Sequence, residues 1–433
     1  MTAAFHEHGK PFFVFGFIQG GEKMETVVVK FGGLALTTPE KIVQVAKKVI
    51  KEQGRGINLV VVVSSMPALR REFRQYAAEI TDEPSKREMD ALVASAAQMT
   101  SAMLAMAIQE HGGKAVSLAG WQTGIQTNQK HGNARIDHVD SKRIEEYLAL
   151  GEIVVVAGFQ GVTGTENIST FGKGGSETSA VALAVALEAE RVEIFSSVEG
   201  IFTADPEIVK ESRKLPEVSY DEMLEFANLG AKILHPRAVE LAKKYNIPLI
   251  VRSFVQDVEG TFIKGDVDME KNLLVRGVAY ESDIIRLTIG YDSYETASLA
   301  EVFSVLAEND INVDIIVQAV IDGVKPTISF TISKDEFAEA LRVLETSKLS
   351  LGFSFADFEV GLAKVSIIGS AMASNPGVAA RMFARLGREH IPVKMVSTSE
   401  IKVSVVIPQD EMVRAANVLH EEFNLAMKEV TAS

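Results

Sequence analysis

Six near-continuous apolar runs, separated by stretches of helical periodicity, constrain this chain most. They are Thr26–Val29, Leu59–Val63, Ala115–Leu118, Ile153–Ala157, Val192–Phe195 and Leu249–Arg252. A strand with one wet face alternates apolar and polar residues. A strand covered on both faces does not. With helical patterns between them, such as Pro39 to Lys51, the runs predict an α/β fold with a largely parallel sheet under two layers of helix. The stretch Lys86–Glu110 predicts a long helix, with Met89, Leu92, Val93, Met99, Met103, Leu104 and Met106 as a core-facing stripe. Ser219 and Glu222 have the spacing of a capping box at a helix start, and Gly230 ends that helix.

Two glycine-rich turns fall between a strand and a helix. Lys30-Phe31-Gly32-Gly33 follows the first run, and Gly172-Lys173-Gly174-Gly175-Ser176 precedes the helical stretch Ser179–Leu187. Glycine lets backbone N–H groups approach an anion with no Cβ in the way. A helix start adds partial positive charge and each lysine a full one. One such turn alone reads more readily as a tight turn. Two of them, each with a lysine, point to phosphate.

The chain has 433 residues, enough for two or three domains. Its net charge of −14 argues against nucleic acid as a partner, while a local basic pocket still admits a nucleotide. Cysteine is absent, so disulfides, thiolate metal sites and cysteine nucleophiles are excluded, which suits a cytoplasmic protein. No apolar run reaches the roughly 18 residues of a membrane span. Pro11–Ile18 is apolar, but His6, His8 and Lys10 make a poor basic region for a signal peptide and Gln19-Gly20-Gly21 a poor cleavage site. Met24 directly precedes the first strand, so residues 1–23 read as an extension, a tag or an upstream start.

Beyond about Gly265 the pattern changes. Residues 284–345 and 363–425 read as two copies of one unit in the order βαββαβ, a ferredoxin-like repeat. Strand edges in such units are suited to pairing between copies of the chain. The chain lacks G-x-x-x-x-G-K-[ST], G-x-G-x-x-G, H-E-x-x-H and G-x-S-x-G, so it is not a P-loop, dinucleotide, zincin or nucleophile-elbow protein by motif.

Five segments, in order and spacing, resemble the aspartokinases. They are Lys30-Phe31-Gly32-Gly33, His131-Gly132-Asn133-Ala134-Arg135, Gly172 to Ser176, Thr203-Ala204-Asp205-Pro206, and Gly230-Ala231-Lys232-Ile233-Leu234-His235-Pro236-Arg237. The likeness runs from about residue 25 to about residue 430. It implies an amino-acid-kinase domain at 24–265 and two C-terminal ferredoxin-like ACT domains at 266–350 and 351–433. The implied reaction is ATP- and Mg2+-dependent phosphorylation of an amino-acid carboxylate, aspartate to 4-phosphoaspartate in the family, the first step toward lysine, threonine and methionine. The alternative is a non-catalytic or redesigned subunit that binds nucleotide or effector.

Phosphoryl transfer needs cations and backbone donors around the moving group, and an acceptor held in line. Lys30, Gly32, Gly33 and Lys173 are the expected catalytic set, and Gly174, Gly175 and Lys232 the phosphate holders. The resemblance adds Ser196, Ser197 and Asp205 for nucleotide, and Ser176 and Glu177 for substrate. It also assigns Arg135 to an α-carboxylate, a task suited to a guanidinium fork, while His131 reads as structural. It implies an effector, lysine or threonine, near Asn312, Asp314, Gln318, Ser399 and Glu400, and a homodimer or tetramer formed through the ACT domains.

The chain departs from the family at several of these places. Leu34 and Ala35 stand for Thr and Ser, Ala96-Ala97-Gln98 for Gly-Glu-Gln, Ser196-Ser197 for Thr-Asp, Glu177 for Asp and Glu207 for Arg. Pro67-Ala68-Leu69-Arg70-Arg71 replaces a loop with Gly, Lys and Thr, and Gly290 to Ala297 replaces an Asp-x-Pro-Gly turn, whereas Asn375-Pro376-Gly377 is kept. The changes gather on the acceptor side and leave most of the phosphate cradle. That pattern fits changed acceptor chemistry, lost catalysis or redesign alike, and it predicts a bulkier or less polar acceptor than aspartate.

Overall fold

The computed structural model describes residues 2–4, 24–229, 233–265, 274–292, 298–319, 326–370, 372, 375 and 377–426. Pro11–Ile18, Gly230, Lys232, residues 293–297 of the altered turn and Pro376 lie outside the described residues. The described chain forms two units. The first holds 2–4, 24–201, 214–228 and 233–265; the second holds 202–213, 229 and the described chain from 274 onward.

The first unit is built on an eight-stranded sheet. Its spatial order is Glu217–Ser219, Thr261–Lys264, Leu249–Ser253, Arg191–Ser196, Thr26–Phe31, Asn58–Val63, Ile153–Ala157 and Ala115–Leu118. Every neighbouring pair is parallel except Leu249–Ser253 with Thr261–Lys264. The expected largely parallel, doubly covered sheet is therefore present. All six residues of Thr26–Phe31 are buried, as are all five of Ile153–Ala157. A smaller sheet orders Thr2–Ala4, Ile136–Asp140, Ile125–Thr127, Gln160–Thr163 and Ile168–Thr170, so three of the N-terminal residues set aside from the sequence do pair in the fold.

Local signals place the helices. Pro39–Gln53 starts at Thr38, whose hydroxyl accepts from Lys41 N, with Pro39 at the first helical position. It buries Ile42, Val45, Ala46 and Val49, spaced by three and four residues. Tyr220–Asn228 starts with the expected capping box: Glu222 N donates to Ser219 Oγ, and Ser219 N donates to Glu222 Oε2, both at 3.2 Å.

Lys86–Glu110 differs from expectation. By length and composition it could cross a membrane, but 56% of its most apolar window is buried inside the protein. Its buried face is mainly small: Ala94, Ala96, Ala97, Ser101 and Ala105, with Val93, Leu104 and Ile108. Met99 and Met106, expected in the core stripe, are exposed at 46% and 64%. Alanines let this helix approach the sheet and Pro39–Gln53 closely, which leaves the long methionines on the outer side.

In the second unit one six-stranded antiparallel sheet runs Ile316–Ala319, Thr327–Ser333, Gly277–Gly290, Phe355–Ile368, Lys402–Pro408, Met395–Thr398. The βαββαβ order holds for the first repeat, whose last strand is residues 355–362, while the second copy closes differently, because the two central strands are 14 residues long and serve both repeats. Residues 284–290 pair with 327–333 on one side and with 355–362 on the other. Residues 277–281, which precede the first repeat, pair with 364–368 and complete the second.

The segment 202–213 belongs to this unit. Val278 N donates to Thr203 O, Ala204 and Val209 join the apolar core of the second repeat, and Tyr280 Oη donates to Asp205 Oδ2 at 2.7 Å. Beneath it His420, only 2% exposed, lies 2.9 Å from Thr203 Oγ1. Burial, and then the charge of Arg213, hold the His420 imidazole below its ordinary value of 6.5. As pH falls below 6.5 the unfolded chain takes up this proton before the folded chain does, so stability declines with falling pH. In His420→Gln the amide keeps a partner for Thr203 and cannot be protonated. Thermal melts above and well below pH 6.5 should show a smaller drop in that variant, and equal drops would contradict the assignment.

Candidate active site

A cleft of about 890 Å³ opens in the first unit beyond the carboxyl ends of Thr26–Phe31, Asn58–Val63 and Ile153–Ala157. Parallel strands bring their carboxyl ends, and the loops that leave them, to one edge of the sheet. Those loops here carry Ser64, Ser65 and Phe159. The second glycine turn forms the opposite wall through Gly172, Lys173, Gly174, Gly175, Ser176 and Glu177.

Lys30 ends a buried strand and is 7% exposed. Its Nζ donates to Glu177 Oε1 at 2.9 Å. Glu177 lies in the first turn of the helix Gly175–Ala186, where a carboxylate is favoured by the helix end. Its other oxygen, Oε2, accepts from His235 N at 2.8 Å. One side chain therefore ties the first glycine turn, the second glycine turn and the start of the helix Pro236–Tyr245. The extra methylene of Glu177 lets it span both partners.

Two glycines are required by geometry. Gly174 has φ +70°, and a Cβ there would stand 2.1 Å from His235 Cβ. A Cβ on Gly33 would meet Ser65 O at 2.8 Å. Gly32 sits beside the cation, since its Cβ would be 3.5 Å from Lys30 Nζ. Burial lowers the pKa of His235, and the Lys173 charge adds to this against the opposing pull of Glu177, so a neutral ring packs on the turn.

A second hub was not foreseen. Asp90, 2% exposed, accepts from His131 Nδ1 at 2.8 Å, from Gly132 N at 3.0 Å, from Thr170 N at 3.1 Å and from Thr170 Oγ1. It fastens the loop 131–135 to the strand Ile168–Thr170. His131 is structural, as expected, and Asp90 is the partner that its reading lacked. The available signal was an acid on the otherwise apolar face of Lys86–Glu110.

The structure brings together Lys30, Lys173, Gly174, Gly175, Ser176 and Glu177 in the cleft wall. It does not bring in Arg135, whose side chain is exposed and absent from the lining. Its neighbour Arg237 is half-buried: it donates to Phe171 O at 3.1 Å and Ala134 O at 2.7 Å, and burial, then Arg135, lower its pKa to about 10. Ser196 ends the strand beside Thr26–Phe31 and Ser197 follows it, both outside the lining. Asp205 lies in the second unit, bonded to Tyr280 and capping Glu207 N at 2.9 Å.

Ala35 and Ala97 are 1% exposed, and Leu34 is 59% exposed; none lines the cleft. Arg70, Arg71 and Arg74 do, on the helix Pro67–Ile80, with Lys86 nearby in the lining. That helix therefore brings positive charge to the cleft. The effector candidates divide. Asn312, Asp314 and Gln318 lie at or before one edge strand, Ser399 and Glu400 after the opposite one. Five strand spacings, about 24 Å, separate those edges. Among the described residues no group of three His, Cys, Asp or Glu is placed to hold a metal.

The Lys30–Glu177 pair is almost dry, with side chains 9% and 14% exposed. Removing one partner of a buried pair costs about 3–5 kcal/mol, whereas replacing both costs much less. Lys30→Met should therefore destabilise the protein more than Lys30→Met combined with Glu177→Gln. Urea unfolding of the two variants checks this, and additive losses would contradict it.

The chain matches the amino acid kinase family over residues 25–253 and the ACT domain over 297–347 and 365–423. It is 50% identical over 403 residues to an aspartokinase of Bacillus sp. (strain MGA3), covering 93% of this chain and 98% of that one. It is 50% identical over 404 residues to an aspartokinase of Geobacillus stearothermophilus, with the same coverage. Its fold is similar to that of E. coli aspartokinase III, solved with aspartate and ADP, at a TM-score of 0.75 and 23% identity, over 92% of this chain and 99% of that one. With its parallel-sheet kinase unit, lysine-bearing glycine turns and paired ACT repeats, the chain belongs to the aspartokinase family.

Proposed function

We propose that the first unit transfers the γ-phosphoryl group of ATP to the carboxylate of a small acceptor, and that aspartate is a poor acceptor. The observation that carries this is the buried Lys30 at the start of Gly175–Ala186, facing a cleft that Lys173 and Ser176 also line. A carboxylate oxygen of the acceptor attacks the γ-phosphorus, the bond to the β,γ-bridging oxygen breaks, and ADP leaves. The carboxylate is already ionised at neutral pH, so no base is needed. Lys30, the helix start and the turn amides stabilise the charge on the moving group. Mg2+ carried on the nucleotide would neutralise part of its phosphate charge. The lining carboxylates, Asp90 and Glu177, are each bonded within the protein.

The protein works in the cytoplasm as a homodimer or tetramer. The edge strand Ile316–Ala319 exposes Ile316 and Val317, and Met395–Thr398 exposes Val396, which suits strand pairing between copies. Such pairing also offers a way to bring the divided effector candidates of two copies together, with lysine or threonine as ligand. A second reading, an effector-binding subunit without catalysis, draws support from Ala97, Ser197 and Glu207 at positions where the family carries other groups.

Coupled ADP release over a panel of amino acids separates these readings. With aspartate, turnover should fall well below the roughly 1–100 per second common for kinases. No turnover with any acceptor would sink the catalytic reading, and ordinary turnover with aspartate would sink the altered-acceptor reading.

A further inference from the structure

We infer that the outer face of the helix Lys86–Glu110 docks on the same face of a second copy of this chain, antiparallel about a twofold axis between Gln98 and Met99. The inference concerns assembly and does not depend on the catalytic reading. Residues 91–109 carry no charged side chain, although Ala91, Met99 and Met106 are exposed. A helix that meets water on one side ordinarily puts charges there, as Pro39–Gln53 does with Glu40, Lys47 and Lys51. The polar groups of the face are turned inward. Ser95 Oγ donates to Leu92 O at 2.6 Å, Gln98 Nε2 to Gln160 Oε1 at 2.9 Å and Gln109 Nε2 to Ala115 O at 2.8 Å. Gly120 N also reaches Gln160 Oε1, at 3.4 Å, which sets Trp121, 50% exposed, beside the middle of the face. Methionine and tryptophan are residue types that protein interfaces favour.

The pattern on this face is its own complement. Under an axis between Gln98 and Met99, positions 95 and 102, 91 and 106, and 87 and 110 of opposite copies come level. At about 100° per residue, Ser95 and Ala102 fall between Ala91 and Met106 on the helix surface. Both are small, so two helix axes can approach to about 8–10 Å. Each Met106 then comes level with an Ala91, a long side chain against a short one. The basic start, Lys86 and Arg87, lies level with the acidic end at Glu110, and opposite ends of two helix dipoles meet. Glu88 at that start is already bonded by Arg87. A chain of net charge −14 repels its copies over most of its surface, so an uncharged face is where they can touch. Self-pairing about a twofold axis is the commonest way that soluble chains associate. A lipid surface fits this face less well, because 56% of the helix's most apolar window is buried inside the protein.

The chain contains no cysteine, so one introduced thiol reports the contact cleanly. Met99→Cys in the full chain should give a disulfide-linked dimer under mild oxidation, since position 99 of each copy lies next to the axis. Met106→Glu should halve the molar mass of the full chain in sedimentation at micromolar concentration. Met106 is 64% exposed, so the substitution leaves the core untouched. The twofold drop is expected whether or not edge strands such as Ile316–Ala319 also pair copies, because only one of the two contacts is lost. Adding Ala91→Lys to Met106→Glu should restore the mass, since positions 91 and 106 of opposite copies then carry opposite charges. A variant that had merely failed to fold would gain nothing from that second change. Phosphatidylcholine vesicles probe the lipid alternative. Vesicle binding that Met106→Glu abolishes would assign the face to a membrane surface and overturn the proposal. An unchanged mass for Met106→Glu, no recovery on adding Ala91→Lys, or no cross-link through Met99→Cys would overturn it as well.

Discussion

The ion pair between Lys30 and Glu177 organises the first unit around its chemistry. A lysine at the end of a fully buried strand needs a partner, and a carboxylate in the first turn of Gly175–Ala186 is itself favoured by the helix end. Because Glu177 also holds His235 N, the pair joins two glycine turns and the start of a third element at one point. Gly174 follows from this, since only a glycine fits under His235 with a positive φ. Asp90 plays the matching part on the opposite side, joining the loop 131–135 to Ile168–Thr170. Both hubs are acids bonded inside the protein, and six cations line the same cleft.

Much of this was legible in the residues. The parallel sheet followed from runs such as Leu59–Val63 and Ile153–Ala157, which no half-exposed strand would carry. Lys30 and the second glycine turn do line one cleft, as their shared pattern suggested. What escaped depended on contacts far apart in sequence. Glu177 could be placed beside a substrate by its position after Gly-Gly-Ser, but its span to His235 requires the fold. Asp90 lies 41 residues from His131 and 80 from Thr170, and no local pattern marks that bond. Arg70 and Arg71 were visible only as replacements for other residues, and their direction into the cleft is a tertiary fact.

In the second unit the repeat was visible and its closure was not. Periodicity shows each βαββα copy, but the strand that completes the second copy, residues 277–281, precedes the first. A 14-residue strand can serve two copies because its halves face different neighbours. The methionine face of Lys86–Glu110 misled for a related reason: hydrophobicity marks candidates for burial, while close approach of a helix to a sheet selects alanine.

The central claim is that the cleft wall of Lys30, Lys173 and the start of Gly175–Ala186 is a nucleotide phosphate site. Calorimetric titration of Mg-ATP into the full chain tests it most directly, with Lys173→Ala as the comparison because that side chain has no hydrogen bond or ion pair among the described residues and can be removed without disturbing the fold. The account predicts saturable binding by the unaltered chain and a loss of about tenfold or more in the variant. No binding of Mg-ATP at millimolar concentration, or equal binding by both proteins, would contradict it.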